Sequence, residues 1–216
     1  MNAKHLAHYI DHTALTAEKT ETDILTLCDE AIEYQFFSVC INSCHIPLAK
    51  QKLAGTPIKI CTVVGFPLGA NLTSVKVFET QAAIAAGADE IDMVMNIGQL
   101  KDGHDQYVID EIKAVKEACG DRLLKVIIET CLLTDEEKKR ATQDVILGGA
   151  DFVKTSTGFS THGATVEDVK ILKAVAGDAI QVKAAGGVRS KDDLYAMIEA
   201  GAQRIGTSSG VKLMEE

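Results

Sequence analysis

An α/β fold, and within it a single (β/α)8 TIM barrel domain over residues 1–216, is predicted by three features of the sequence. Runs rich in Val, Ile and Cys alternate with longer amphipathic stretches, the pattern of βα units around a mainly parallel sheet. Eight such apolar runs fit into 216 residues, more than an open sheet of five or six strands would use. A Gly-Ala-polar segment also recurs just before an apolar run, at Gly87, Gly149 and Gly201. These glycines are 62 and 52 residues apart, and each gap holds two ordinary βα units.

Strands are expected at 9–13, 37–42, 59–64, 90–95, 124–130, 152–156, 181–185 and 204–207, with helices between them at 22–34, 46–53, 73–86, 105–118, 135–147, 166–176 and 191–200. Several helix starts carry their own caps. Thr134-Asp135-Glu136-Glu137 has the spacing of a capping box, and Ser190-Lys191-Asp192-Asp193 places acids in a first turn. The helix ends are marked by Ala86-Gly87-Ala88-Asp89, Gly148-Gly149-Ala150-Asp151 and Ala200-Gly201-Ala202-Gln203, where glycine stops the helix and turns the chain toward the next strand. Only 210–216 remains for an eighth helix, which is therefore expected to be short.

At 46% hydrophobic and 25% charged, the chain can bury a full core. Its formal charge of −9, with no basic cluster longer than Lys138-Lys139-Arg140, argues against nucleic acid as a partner, since such binding rests on clustered Lys and Arg. Small anionic substrates stay compatible, because a few local donors outweigh a distant negative surface. Cys28, Cys40, Cys44, Cys61, Cys119 and Cys131 lie mostly in apolar runs and resemble core thiols more than a disulfide framework. With no signal-peptide h-region in residues 1–11 and no apolar run of spanning length, no membrane association and a cytoplasmic location are expected. A homodimer is compatible with the sequence, but an apolar helix face serves a dimer contact or barrel packing equally well.

Reactive groups of such a barrel belong at the C-terminal ends of its strands. Phe152-Val153-Lys154-Thr155-Ser156-Thr157-Gly158-Phe159 places a lysine inside an apolar strand, where an unpaired ammonium is costly. The bland alternative is a lysine at a strand end that snorkels to solvent. Strand alternation turns Ile91, Met93 and Met95 outward and Asp92 inward, and it turns Lys183 inward beside outward Val182. Strands six and seven should lie about 4.8 Å apart, so Lys154 and Lys183 can approach each other. Neighbouring cations in a dry pocket favour a neutral amine able to attack a carbonyl, with Asp92 as proton relay. The alternative is a buried ion pair in which one lysine only neutralises Asp92.

Asp11 is expected to face the barrel interior and to pair with one of the lysines. Lys183-Ala184-Ala185-Gly186-Gly187-Val188-Arg189 and Gly206-Thr207-Ser208-Ser209-Gly210 supply glycines and hydroxyls after strands seven and eight, the usual barrel position for a phosphate cradle. His8 and His12 stand four apart, but on a strand, so they need not converge on a metal. Cys40 is expected to be a packed thiol beside the polar loop of Cys44 and His45. Glu129 could equally touch a substrate or orient a loop. No metal and no cofactor are expected.

The segments Phe152 to Gly158, Lys183 to Arg189, Glu90-Ile91-Asp92-Met93-Val94-Met95-Asn96 and Gly206-Thr207-Ser208-Ser209, in this order and reaching back to Ile10-Asp11-His12-Thr13, resemble those of the deoxyribose-phosphate aldolases. The resemblance implies a (β/α)8 class I aldolase, a metal-independent lyase acting on a small phosphorylated sugar through a lysine Schiff base. It implies that Lys154 is the nucleophile, which the residues alone do not decide. It further implies that Lys183 perturbs that lysine and shares in proton transfer, and that Asp92 donates and accepts protons. Gly158, Gly186, Gly187, Ser208 and Ser209 are implied to hold the substrate phosphate.

Two departures stand out. Phe159 occupies a position where some relatives carry a lysine, which removes one phosphate contact. The sequence ends in Met214-Glu215-Glu216, without the terminal tyrosine of some relatives, so proton transfer or phosphate preference is expected to differ. The competing readings are another Schiff-base or isomerase phosphosugar enzyme on the same barrel, and a silent barrel that only binds a phosphometabolite.

Overall fold

The structure, a computed structural model, describes residues 6–215. Eight parallel strands close into a barrel in chain order, each bonded to the next and the last to the first. They are β1 (Ile10–Ala14), β2 (Ser38–Ile41), β3 (Lys59–Val64), β4 (Glu90–Val94), β5 (Leu123–Ile127), β6 (Phe152–Lys154), β7 (Gln181–Ala185) and β8 (Arg204–Thr207). Around them run α1 (Glu21–Tyr34), α2 (Ile46–Lys52), α3 (Thr73–Ala86), α4 (Ile97–Lys101), α5 (Asp105–Cys119), α6 (Asp135–Leu147), α7 (Val166–Ala176), α8 (Lys191–Glu199) and α9 (Gly210–Glu215). The predicted single barrel is the fold observed, and its last helix is short.

Local sequence accounts for the element ends. Thr20, Thr134 and Ser190 each close a capping box at the starts of α1, α6 and α8, satisfying N–H groups that have no partner in the first turn. Ile91, Met93 and Met95 belong to the large apolar layer between strands and helices, as the strand alternation requires. The barrel interior is different. It holds a small apolar cluster of Leu15, Cys40, Cys61 and Val63 and, beside it, a set of buried charged side chains.

Beyond shifts of a residue or so at other ends, two strand ends and one added helix differ from expectation. The fifth strand stops at Ile127 instead of 130, because Glu129 takes a left-handed backbone (φ 53°) and Thr130–Leu132 form a 3-10 turn. The sixth strand ends at Lys154, since Thr155 Oγ1 and N–H turn to bonds with β7 backbone groups. The short helix α4 was not expected; Asn96 caps it by accepting from the Gln99 N–H at 3.2 Å.

An ion pair unforeseen in the sequence braces the top of the barrel. Lys76 of α3 is fully buried against Glu111 of α5 at 2.8 Å, and its ammonium also donates to the carbonyls of Gly69 (2.7 Å) and Val94 (2.8 Å). Three acceptors compensate its desolvation, and in return the loop after β3 is tied to the end of β4.

Candidate active site

Inside the barrel the inward side chains of six strands form one charged network. Asp92 of β4 is its centre. Its Oδ2 accepts from Lys154 Nζ at 2.7 Å and Lys183 Nζ at 2.9 Å, and its Oδ1 accepts from Lys125 Nζ at 2.8 Å and from the Cys61 thiol at 3.2 Å. Sheet register makes this possible. Lys154 lies directly opposite Lys183 across β6 and β7, and Asp92 lies opposite Lys125 across β4 and β5.

Lys183 also bonds Asp11 of β1, whose other oxygen accepts from Ser38 Oγ at 2.6 Å and from Arg204 Nη1 at 2.8 Å. Arg204 continues to Glu90 at 3.2 Å, and Glu90 returns to Lys125 at 2.6 Å. The Arg204 guanidinium lies 3.4 Å from the centre of the Phe37 ring, which covers it from the base of the barrel.

Burial pushes Asp11, Asp92, Lys125 and Lys183 toward neutrality, and close opposite charges reverse that push. Desolvation would raise Asp92, but Lys125, Lys154 and Lys183 hold it well below the ordinary carboxylate range. Desolvation likewise works against charge on Asp11, yet Lys183 and Arg204 keep its carboxyl low. Burial would lower Lys183, and Asp11 and Asp92 overcome this and hold it above an ordinary lysine. Lys125 is raised in the same way, chiefly by Asp92.

Here the structure differs from the sequence expectation: Lys183, the neighbour of Lys154 on the same Asp92 oxygen, sits between two carboxylates that favour its charged form. Asp92 does not merely pair with one lysine either. It is shared by three.

Above this network a cavity of about 430 Å3 opens at the C-terminal ends of the strands. Lys154 lines it from below, and it is the one member of the network that does so among the described residues. Its lining also includes Gly158, Gly186, Gly187, Ser208 and Ser209, the residues expected to form an anion cradle. Two glycines lie in close contact, and the first is required by it. A Cβ on Gly163 would lie 2.3 Å from the Gly186 carbonyl oxygen, where the loops after β6 and β7 meet, and one on Gly206 would lie 3.2 Å from Lys183 Cε. Phe159 stands at the mouth, half exposed and edge-on to Phe66 at 5.2 Å.

Glu129, which the sequence left between two roles, orients a loop. Its buried carboxylate accepts from the Thr157 N–H at 3.2 Å and the Thr157 hydroxyl at 2.5 Å, directly beside the cavity wall. His8 and His12 do not form a shared site: His12 is buried on Glu30 at 2.6 Å, and His8 faces outward. Cys40 is more than a packed thiol beside a loop. Its sulfur, that of Cys61 and an Asp92 oxygen lie within 4.8 Å of one another. The donor types suit a metal, but both Asp92 oxygens already hold ammonium groups, and three nearby cations oppose a fourth.

Sequence reasoning missed Lys125, Arg204 and Glu90. The signal was present for Lys125, since Leu124-Lys125-Val126 places a lysine inside an apolar strand just as Phe152-Val153-Lys154 does. Arg204 and Glu90 sit at strand starts, where a charge ordinarily reaches solvent, so only barrel closure reveals them.

Comparison with known proteins agrees with this geometry. The chain is 59% identical to a deoxyribose-phosphate aldolase of Mannheimia succiniciproducens, over all of this chain and 96% of that protein. It is 58% identical to the same enzyme of Finegoldia magna, over 97% and 99% of the two chains. Among solved structures, a deoxyribose phosphate aldolase from Aeropyrum pernix, described as a unique tetramer, superposes with a TM-score of 0.93 at 35% identity, over 99% of this chain and 91% of that one. An aldolase called QR15 does so at 0.92 and 42%, over 96% and 93%. A family profile matches residues 5–214, and with the barrel, the shared aspartate and the paired lysines in place, the chain belongs to the DeoC/LacD family of aldolases.

Proposed function

We propose that this protein is a deoxyribose-phosphate aldolase, cleaving 2-deoxy-D-ribose 5-phosphate reversibly to D-glyceraldehyde 3-phosphate and acetaldehyde, with Lys154 as the Schiff-base nucleophile. One observation carries the choice of lysine. The network holds four cations (Lys125, Lys154, Lys183, Arg204) against three carboxylates (Asp11, Glu90, Asp92), so one proton can leave and the cluster becomes balanced. Lys125, Lys183 and Arg204 each touch two carboxylates, whereas Lys154 touches one and faces the cavity. Lys154 is the amine the network can spare.

The chemistry then follows. Neutral Lys154 adds to the open-chain aldehyde, and loss of water gives an iminium. As the hydroxyl across the breaking C–C bond gives up its proton and becomes the aldehyde of glyceraldehyde 3-phosphate, the bond's electron pair moves into the iminium as an enamine. The enamine is then protonated and hydrolysed to acetaldehyde and free Lys154. Lys183, kept protonated, donates toward the carbinolamine hydroxyl, and Asp92 passes protons between the two lysines. Gly158, Gly186, Gly187, Ser208 and Ser209 hold the phosphate and fix the reacting carbon over Lys154.

Borohydride reduction in the presence of acetaldehyde, followed by peptide mass mapping, tests this reading. A reduced adduct on Lys154 is expected, together with retro-aldol turnover that is insensitive to chelator and abolished in Lys154→Ala. An adduct on Lys183 alone, or none, would refute it.

The same reading includes a cytoplasmic setting, supported by six free thiols, and self-association as a homodimer. The exposed stripe of α3 (Ser74, Val75, Phe78, Gln81, Ala82, Ala85) bears no charge, and Leu68 and Leu72 extend it, 75% and 70% exposed. Light scattering should give twice the chain mass, reduced to the monomer by Phe78→Asp; a monomeric parent would remove the dimer from this reading.

A further inference from the structure

We infer that Lys19, on the segment joining β1 to α1, supplies side-chain charge to the substrate phosphate. The inference rests on the aldolase reading. Lys19 lines the same cavity as Gly186, Gly187, Ser208 and Ser209, and it is half-buried there. It forms no ion pair among the described residues.

Glu18 and Asp23 feel its charge, and both are committed elsewhere. Glu18 accepts from Thr16 Oγ1 at 2.6 Å, and Asp23 accepts from the Thr20 N–H and hydroxyl at 2.8 and 2.7 Å as part of the α1 cap. A lysine held beside a cavity with its neighbouring acids already bonded is available to an anion.

Charge balance at the rim supports the same assignment. The cavity wall carries Lys19, Arg189 and Lys154 as cations and Glu18 as its anion. Lys154 is bonded to Asp92 below and serves the carbonyl end. What remains for a phosphate dianion is Lys19 and Arg189, opposed by Glu18. Phe159, at the mouth of the β6 loop, adds none. Removing Lys19 would leave the rim uncharged overall, so the backbone cradle would act without net attraction.

Calorimetric titration with inorganic phosphate reads the site without turnover. Lys19→Gln is expected to weaken phosphate binding on the order of tenfold, the low end for one hydrogen bond to a charged group, and Lys19→Arg to retain most of it. In turnover, Lys19→Gln should raise KM for 2-deoxyribose 5-phosphate and lower the preference for it over 2-deoxyribose by a similar factor. Parental phosphate affinity and parental preference in Lys19→Gln would overturn the inference, as would equal losses on both sugars, which mark general loop damage. Failure of the aldolase reading shows separately, as absence of the acetaldehyde adduct on Lys154 in the parent.

Discussion

Asp92 joins three ammonium groups with one carboxylate, and its neighbours determine what each lysine can do. Lys183 is held by Asp11 and Asp92 together, so its proton is retained while it lies within reach of the same Asp92 oxygen as Lys154. Replacing Lys183 by leucine removes that donor and leaves Asp11 to Arg204 and Ser38. The rate of borohydride-trapped adduct formation with acetaldehyde at neutral pH should fall by about 10²-fold or more. A rate close to the parent's would show that Lys183 only fills the barrel.

At the scale of elements, the site depends on where strands end. β6 stops after Lys154, so the next residues leave the sheet and form the cavity wall, and Glu129 of the preceding loop fastens them through Thr157. Thr157 Oγ1 in turn accepts from the Phe159 N–H at 3.0 Å, which carries the constraint to the cavity mouth. Glu129→Ala leaves Thr157 without its acceptor and should cost about 1–3 kcal/mol. It should also speed hydrogen exchange at the Thr157 and Phe159 amides and raise KM more than it lowers kcat. Unchanged exchange at those amides would mean that other contacts hold the loop. The left-handed backbone of Glu129 was hidden in the sequence, because glutamate is an unremarkable strand residue until a tertiary partner demands that it turn.

For the whole molecule, the charged interior links stability to pH. Asp11 and Asp92 have folded pKa values depressed below the ordinary 3.8, so their contribution is complete above the unfolded value and is lost as pH falls through the folded one. Lys183 has a folded value above the ordinary 10.5, so its contribution is complete below 10.5 and is lost as pH rises beyond it. Thermal unfolding should show a plateau between these limits and a fall in Tm on acidification below about pH 4. That fall should be smaller in Asp11→Asn, which begins with less to lose. An acid limb identical in that variant would place the acid-labile groups elsewhere, for instance at His12, whose burial disfavours its charged form.

The barrel was legible in the sequence because its signals are local: alternation along strands, caps such as Thr134 to Glu137, and glycines such as Gly87, Gly149 and Gly201 all act within a few residues. Lys154, Lys183, Asp92 and Asp11 were legible by the same means, as charges on the inward parity of apolar strands. Closure of the sheet decided the rest. It brought Glu90 and Arg204 from strand starts to the centre of a dry interior and placed Lys125 on the far oxygen of Asp92. It also left Lys154 with one carboxylate while the other three cations each have two. Side-chain parity follows from one strand alone, but the partners of a buried charge depend on residues up to 193 positions away, as between Asp11 and Arg204.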